Sequence, residues 1–341
     1  MWSISVDWNK FYSFLLLLFF VGCQPIQENE TQRISGFALG TSYSVTYLSP
    51  SLKAEVLQRK IDSVIDLMNA SMSTYIEDSA ISKINRGDSL IQVDEHFEKV
   101  YAMASEVWEK TQGYFDPTVG ALVNAYGFGP DTSYTPISEE QRDEILIFTG
   151  WNKTKLTSKK TVRKEHPQVY FDFNALAKGY VVDVIADLLR ENGSTSFLVE
   201  IGGEIVAEGL SPKSQQPWKV AIDDPRQTEE RSFIAVVPLT NQALATSGNY
   251  RKFKLDKTTG KRLVHSINPK TGNPFPTEVL SASVIAPTCM EADAYATALM
   301  VMPLEKSRAL IERESNLEAY WIVEMEDGTV EELYSSGFFR E

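Results

Sequence analysis

Apolar residues recur along the chain at two spacings, and each spacing predicts a type of element. Within residues 42–48 apolar and polar positions alternate, which is typical of a strand with one buried face. Helical spacing follows at Leu57, Ile61, Val64, Ile65 and Met68. A second helix is predicted to begin at Asp94 and to stop at Gly113, because Asp is a good N-cap and Gly a common helix end.

Beyond residue 128 the periodic pattern is interrupted before it resumes. Residues 129–166 are polar and include Pro130 and Pro136, so they are predicted to form a surface loop. A helix at 177–191 is predicted to end at Asn192-Gly193. The other predicted elements are a strand at 169–173, a buried strand at 197–201, several strands within 205–286, helices at 290–302 and 304–314, and a closing hairpin of 320–324 with 330–333 joined through Asp327-Gly328.

These elements favour an α+β fold over a doubly wound one. Strands and helices are mixed, but they do not alternate strictly as they do around a parallel sheet. We therefore predict a single large domain of mixed sheets packed with helices, spanning residues 34–341.

The first 22 residues carry the pattern of a secretory signal. Residues 14–21 form an unbroken apolar run that is too short to span a bilayer. The run ends at Gly22-Cys23, which resembles the site at which bacterial lipoproteins are cleaved and lipidated, although Phe20 stands where Leu is usual. Residues 1–22 are thus predicted to be a lipoprotein signal peptide, with plain cleavage as the alternative. Residues 23–33 are polar and unpatterned, which is typical of a tether.

Composition narrows the choice of partners. The chain has a formal net charge of −13, which argues against nucleic acid as a partner. Lipidation of Cys23 would leave Cys289 as the only free cysteine, so no internal disulfide is expected. The three histidines, His96, His166 and His265, are far apart and give no zinc-binding spacing.

The segment from Thr288 to Thr297 combines a helix start with candidate metal ligands. Thr288 and Glu291 have capping-box spacing. Asp293 and Thr297 are four residues apart, so on a helix they share one face. A carboxylate and a hydroxyl are hard oxygen ligands that suit Mg²⁺ better than Zn²⁺. The alternative is an ordinary capped helix with a solvated Asp.

Four further segments combine turn residues with polar side chains. Asp116 precedes Pro117, which favours an extended backbone that can aim its carboxylate at a ligand. Residues 172–180 run from a strand end into a helix whose free N–H groups would bind phosphate, with Lys178 as an added charge. Residues 245–250 suit close backbone approach to a ligand, and residues 265–272 place His265 beside a Pro/Gly turn. Each segment has an alternative interpretation as a purely structural turn or helix start.

Together the segments resemble the FAD:protein FMN transferases, the ApbE-type flavinyltransferases. The resemblance covers nearly all of residues 36–341 and rests on nine segments in the family's order. They are GTSY at 40–43, MSTY at 72–75, SAISKIN at 79–85, FDPTVG at 115–120, AKGY at 177–180, GGE at 202–204, ATSG at 245–248, the His265 turn at 265–272 and ADA at 292–294.

The resemblance implies an enzyme that binds FAD and Mg²⁺. It would move the FMN half of FAD onto a threonine hydroxyl of another protein and release AMP. The metal would be held by Asp293, Thr297 and the backbone carbonyl of Ala177. By position, the FAD would be lined by Leu39, Tyr75, Tyr114, Phe115, Asp116, Asn174, Tyr180 and Ile267. His265 would take the acceptor proton or position the acceptor threonine.

Asn268 departs from the family pattern. The family usually has Asp at this position of the turn, and Asn cannot act as a base, so no catalytic role is assigned to it. Together with the predicted lipidation of Cys23, the resemblance implies an enzyme anchored on the extracytoplasmic, periplasmic face of a bacterial cell membrane and acting on an extracytoplasmic flavoprotein. Hydrolysis of FAD to FMN and AMP, and flavin binding without catalysis, are the two competing functions.

Overall fold

The structure is a computed structural model that describes most of the chain. The described residues are 2, 31–49, 51–130, 137–227, 231–250, 253–256, 260–274 and 276–339. The strands are β1 Thr31–Ala38, β2 Thr41–Leu48, β3 Thr154–Leu156, β4 Val162–Lys164, β5 Ser196–Ile201, β6 Glu204–Glu208, β7 Trp218–Asp223, β8 Phe233–Leu239, β9 Gln242–Gly248, β10 Phe253–Leu255, β11 Arg262–Val264, β12 Val279–Ala286, β13 Glu318–Glu324 and β14 Val330–Tyr334. The helices are α1 Ala54–Met72, α2 Ala80–Asn85, α3 Glu95–Lys110, α4 Gly120–Ala125, α5 Glu139–Phe148, α6 Ala177–Glu191, α7 Cys289–Leu299 and α8 Leu304–Arg313.

The longest strands form one eight-stranded sheet in the order β1-β2-β5-β6-β9-β12-β13-β14. Every neighbouring pair in it is antiparallel. Successive side chains of a strand point to opposite faces, so alternate residues enter different cores. Val206 and Ala245 belong to a helix-covered core, whereas Ile205 and Leu244 belong to a second core under the β7–β8 hairpin. The predicted α+β class is confirmed.

Helices cover one face of the sheet, and their ends follow predicted signals. The Asp94 carboxylate accepts from the backbone N–H of Phe97 at 2.8 Å and caps α3. The α6 helix ends before Gly193, whose φ is +76°. On the same face α6 and α7 lie side by side against the sheet and provide much of the core.

The predicted loop at 129–166 is wrong for most of its length. Ser138 and Gln141 form a reciprocal capping box that starts α5, a signal that the polar composition concealed. A short 3₁₀ turn follows at Trp151–Lys153, and then β3 and β4 pair. Buried Phe148 and Trp151 anchor this region to the core. Pro136 lies outside the described residues.

The strand predicted at 169–173 is also wrong. The segment alternates buried and partly exposed residues as a strand would, but only Tyr170 makes a bridge, to Val119. The side chain of Asn85 takes the place of a partner strand. Its amide donates to the Phe171 carbonyl at 2.9 Å and accepts from the Phe171 N–H at 2.8 Å.

Smaller differences concern element ends. The α7 helix begins one residue earlier than predicted and ends at Leu299, where the chain turns toward Pro303. Only half of its predicted capping box forms, because Glu291 accepts a hydrogen bond from Asn316 instead. The closing hairpin is confirmed as β13 and β14.

The N-terminal predictions lie largely outside the described residues. Of the signal peptide only residue 2 is described, and Cys23 is not. Residues 31–33, the end of the predicted tether, instead pair with β2 as the start of β1. No helix in the described part of the chain is both long and apolar enough to cross a bilayer.

Candidate active site

The site is built where α6 and α7 meet, and Gly179 makes their approach possible. A Cβ atom at this position would lie 2.3 Å from the carbonyl oxygen of Cys289 and 2.9 Å from the Cβ of Asp293. Such distances are too short for any side chain, so only glycine allows this packing. The first turn of α6, which contains Ala177, is thereby held against the α7 helix that carries the predicted ligands Asp293 and Thr297.

Asp293 and Thr297 lie on the face of α7 that meets α6 and β9. Asp293 is 3% exposed, and its carboxylate accepts from the backbone N–H of Gly179 at 3.0 Å. Burial raises the pKa of Asp293 above its usual range, and the positive charge of Lys178 only partly opposes this. The Thr297 hydroxyl lies 3.3 Å from the hydroxyl of Ser247 on β9. Asp293 is therefore directed into the interior, whereas Thr297 remains partly exposed.

Lys178 and Glu204 form an ion pair beside Asp293, in which Glu204 is buried and Lys178 is partly exposed. The ammonium of Lys178 lies 2.5 Å from Oε1 of Glu204, a side chain that is only 3% exposed. Burial lowers the pKa of Lys178, but the carboxylates of Asp293 and Glu204 outweigh this and leave it raised. The other carboxylate oxygen of Glu204 accepts no hydrogen bond from the residues that the structure describes. The carboxylates of Asp293 and Glu204 thus both act on one ammonium, so acidic groups outnumber basic ones at this point.

This surplus of negative oxygen fits a divalent cation. Ala177, Asp293 and Thr297 offer a carbonyl, a carboxylate and a hydroxyl, the hard ligands that Mg²⁺ prefers. Within the described ranges no three His, Cys, Asp or Glu side chains converge on a metal site. A few protein oxygens completed by water and phosphate are the usual arrangement for Mg²⁺.

The start of α6 differs from its prediction as a phosphate-binding helix end. The N–H of Ala177 donates to the carbonyl of Phe173 at 2.8 Å, and that of Gly179 donates to Asp293. These two groups are therefore not free, and Lys178 is paired with Glu204. The prediction of free N–H groups is wrong for both residues, because Asp293 and the preceding turn already use them.

A second group of predicted residues gathers around Asp172. Its carboxylate accepts from the N–H of Asn174 at 2.8 Å, and its own N–H donates to the carbonyl of Pro117 at 2.8 Å. Tyr75 is 56% exposed, and burial together with the charge of Asp172 raises its pKa. The structure therefore brings Tyr75, Asn174 and the Asp116 segment to one region, with the Tyr75 side chain accessible to a ligand.

Two residues of the Asp116 segment direct their side chains into the protein. One carboxylate oxygen of Asp116 accepts from the N–H and the hydroxyl of Thr118, at 2.8 and 2.6 Å. The other accepts from the N–H of Trp151 at 2.9 Å. Burial raises the pKa of Asp116, and these hydrogen bonds oppose that rise. Phe115 is buried in the main core. Contact of either residue with FAD stays a prediction and would involve the backbone.

A third group lies at the His265 turn. The imidazole ring of His265 packs edge-on against Phe128 with 6.4 Å between ring centroids. Ile267 is buried in the same small apolar cluster as Phe128. Lys270, on the same turn, places its ammonium 4.5 Å from the ring centre of Tyr114. His265 and Ile267 thus both pack near Phe128, and Tyr114 contacts their turn through Lys270.

Tyr180 and Leu39 occupy different surroundings. The hydroxyl of Tyr180 lies 2.7 Å from Nδ1 of His96, and burial with nearby acidic residues raises the pKa of Tyr180 to about 12. Leu39, with a φ of +52°, forms the tip of the β1–β2 hairpin together with Gly40. That tip adjoins a polar cavity of about 230 Å³ lined by Thr41, Ser42, Glu200, Gly202, Gly203, Ile205, Ala221, Ile222, Asp223, Arg231, Leu244, Thr246 and Tyr250.

Sequence reasoning missed three side chains that shape the site. Glu204 and Ser247 stand in segments that drew attention, but their partners Lys178 and Thr297 are distant in sequence. Asp183 reads as an ordinary helix residue and instead contacts the start of α7. Each pairing depends on the packing of α6 or α7, so no local spacing reveals it.

Fold and site together define an α+β protein whose candidate active site lies between two helices on one face of an antiparallel sheet. Residues 39–321 match the sequence profile of the ApbE family, and the chain belongs to that family. The resemblance found from the motifs is therefore confirmed.

Individual relatives cover nearly the whole chain. A FAD:protein FMN transferase of Haemophilus influenzae is 37% identical over 328 residues, which is 92% of each chain. One of Vibrio cholerae is 36% identical over 339 residues, which is 98% of each chain. The solved structure of a flavin transferase ApbE from Vibrio cholerae matches with a TM-score of 0.80 at 34% identity, over 91% of this chain and 98% of that one.

Proposed function

We propose that this protein transfers the FMN moiety of FAD to a threonine hydroxyl of an acceptor flavoprotein and releases AMP, with Mg²⁺ as cofactor. The observation that carries the proposal is the α6–α7 junction, where buried Asp293 accepts from Gly179 in the first turn of α6, Thr297 lies beside Ser247, and Lys178 pairs with Glu204. The names of its relatives describe a transfer of FMN from FAD to a protein.

The metal would be held by the Asp293 carboxylate, the Thr297 hydroxyl and the Ala177 carbonyl. When bound, the metal would supply positive charge. Attack on a pyrophosphate depends on such charge neutralisation more than on a strong base. Lys178 remains paired with Glu204, so its role in this account is to stabilise the ligand carboxylate rather than to bind phosphate. Tyr75 offers an accessible ring against which a flavin or an adenine can stack.

The transfer balances without further reactants. The acceptor hydroxyl oxygen forms a bond to the phosphorus on the FMN side, and the bond from that phosphorus to the bridging oxygen breaks. AMP leaves with the bridging oxygen. The hydroxyl proton passes to the imidazole of His265, which lies on a turn that also contacts Tyr114 through Lys270.

We further propose that the enzyme is anchored by lipid on Cys23 at the extracytoplasmic face of a bacterial membrane. The support is the short apolar run that ends at Gly22-Cys23 and the polar segment that follows it. The acceptor would then be an extracytoplasmic protein, within reach of a short tether.

The mass of an acceptor protein tests the proposed transfer. A candidate acceptor incubated with this protein, FAD and Mg²⁺ should gain one FMN on a threonine, with one AMP released per flavin bound. Replacing that threonine with valine removes the nucleophile and should abolish the gain. Free FMN and AMP with an unmodified acceptor would instead identify the protein as an FAD hydrolase. Bound FAD without either product would identify it as a flavin-binding protein.

A further inference from the structure

The start of α7 is held by a carboxylate from another helix. The first N–H groups of any helix lack partners within it. The Thr288 hydroxyl accepts from the N–H of Glu291 at 3.3 Å, as an ordinary N-cap does. The N–H groups of Cys289 and Met290 donate to the two carboxylate oxygens of Asp183, both at 2.8 Å. Capping is thus divided between a residue next to α7 and a residue of α6.

The two helices joined in this way are the ones that carry the proposed metal ligands. Ala177 is the first residue of α6, and Asp293 and Thr297 belong to α7. Close packing at Gly179 brings the helices together, but contact with a glycine does not by itself prevent sliding. A carboxylate that accepts two hydrogen bonds from consecutive backbone N–H groups fixes both the separation and the register of the helices.

We infer that Asp183 is a positioning residue, which sets the distance between the Ala177 carbonyl and the ligand face of α7 and so tunes the affinity for the metal. This inference rests on the proposed function, because it assumes that these residues bind Mg²⁺. Asp183 is not one of the proposed ligands, and its two oxygens accept from consecutive N–H groups of α7. Residues that orient metal ligands typically change metal affinity by about 10–100-fold when they are replaced.

A purely structural cap would behave differently, and Thr288 provides the matched comparison. Asp183→Asn removes one acceptor and the charge, while Thr288→Ala removes the local cap of the same helix start. Both variants should unfold at lower denaturant concentration than the wild type. Only Asp183→Asn should weaken binding of Mn²⁺, used as a paramagnetic substitute for Mg²⁺ and followed by electron paramagnetic resonance, by about tenfold or more.

Kinetics give a second measurement. The Mg²⁺ concentration for half-maximal FMN transfer should rise in Asp183→Asn by a similar factor, and the rate at saturating Mg²⁺ should stay close to that of the wild type. If Asp183→Asn does not fold, Asp183→Glu keeps both acceptor oxygens and displaces α7 by one methylene. It should leave the helix capped and still weaken Mn²⁺ binding.

Two results would overturn the inference. One is Mn²⁺ affinity in the Asp183 variants equal to that of the wild type. The other is an equal loss of affinity in Thr288→Ala, which would make the effect one of helix stability. Failure of the proposed function looks different, because wild-type protein would then neither bind Mn²⁺ nor require Mg²⁺ for transfer.

Discussion

At the scale of single residues, the burial of Asp293 contrasts with the accessibility of Tyr75. Asp293 keeps a carboxylate in the interior beside Glu204 and Lys178, which is costly unless a cation or hydrogen bonds compensate it. Tyr75 leaves more than half of its side chain exposed. A buried carboxylate suits a metal ligand, and an exposed ring suits stacking with a ligand. The burial of the two residues therefore agrees with the different roles that the resemblance implies for them.

His265 should affect proton transfer more than FAD binding. His265→Ala removes the imidazole and should lower the rate of FMN transfer by about 10²–10⁴-fold, the usual range for general acid–base catalysis. FAD affinity, measured by flavin fluorescence, should change little. His166 stacks on Phe148 with 4.4 Å between ring centroids and serves as the control. Equal transfer rates in His265→Ala and His166→Ala would make His265 a structural residue.

At the scale of elements, the site depends on how closely α6 and α7 pack. The contact at Gly179 joins the first turn of α6 to the carbonyl of Cys289 and to Asp293. The Asp183 carboxylate and the Gly179 N–H then add directional contacts between the helices. Small changes at this junction should therefore alter both stability and metal binding.

Gly179→Ala tests the junction because helix propensity predicts a gain in stability and close packing predicts a loss. In an open helix Ala would stabilise by about 1 kcal/mol relative to Gly. Here the added methyl meets the Cys289 carbonyl at 2.3 Å and must force the helices apart. We expect the free energy of unfolding, measured by urea denaturation, to fall by about 1–3 kcal/mol. A variant as stable as the wild type or more stable would show that α6 and α7 are not closely packed.

Elements with a complete local signal were predictable from the sequence. The α3 helix has a clear hydrophobic period and ends near Gly113, and the α6 helix has one and ends at Asn192. The closing hairpin has Asp327-Gly328 at its turn. The α5 helix was missed because a polar, proline-containing stretch hid its capping box. Residues 169–173 alternate like a strand, but the distant side chain of Asn85 satisfies part of their backbone.

The sequence predicts only those parts of the site whose residues lie close together along the chain. Asp293 and Thr297 share a helix face because of their spacing, which any helix would impose. The contacts of Asp183, Glu204 and Ser247 join segments that are far apart in sequence. They require the relative placement of α6, α7 and the sheet, which hydrophobic periodicity does not define.

At the scale of the whole molecule, the chain combines an acidic catalytic domain with an apolar N-terminal run. The net charge of −13 disfavours binding to anionic lipid surfaces, so attachment to a membrane would depend on lipid rather than on basic residues. Two or more acyl chains anchor a protein stably where a single chain does not. The proposed anchor at Cys23 is thus the feature that would decide location.

Cys23→Ser tests the anchor. The variant should lose its acyl chains and either enter the aqueous phase of a detergent partition or keep an uncleaved signal peptide. Intact mass and partitioning measured together separate these two outcomes from lipidation. Cys289→Ser is the control, because that thiol is buried within α7 and is not expected to be modified. Unchanged mass and partitioning in Cys23→Ser would refute lipidation.

Asp293 and Thr297 are proposed to hold the Mg²⁺ that enables FMN transfer, and the decisive measurement is the rate of transfer as a function of Mg²⁺ concentration. Asp293→Asn keeps the shape and removes the charge, so transfer should be lost at ordinary Mg²⁺ and partly recovered at high Mg²⁺. Glu291→Gln, a buried carboxylate-to-amide change on the same helix, should follow the wild-type curve. Superimposed curves for Asp293→Asn and wild type, or a wild-type enzyme indifferent to chelator, would contradict the account.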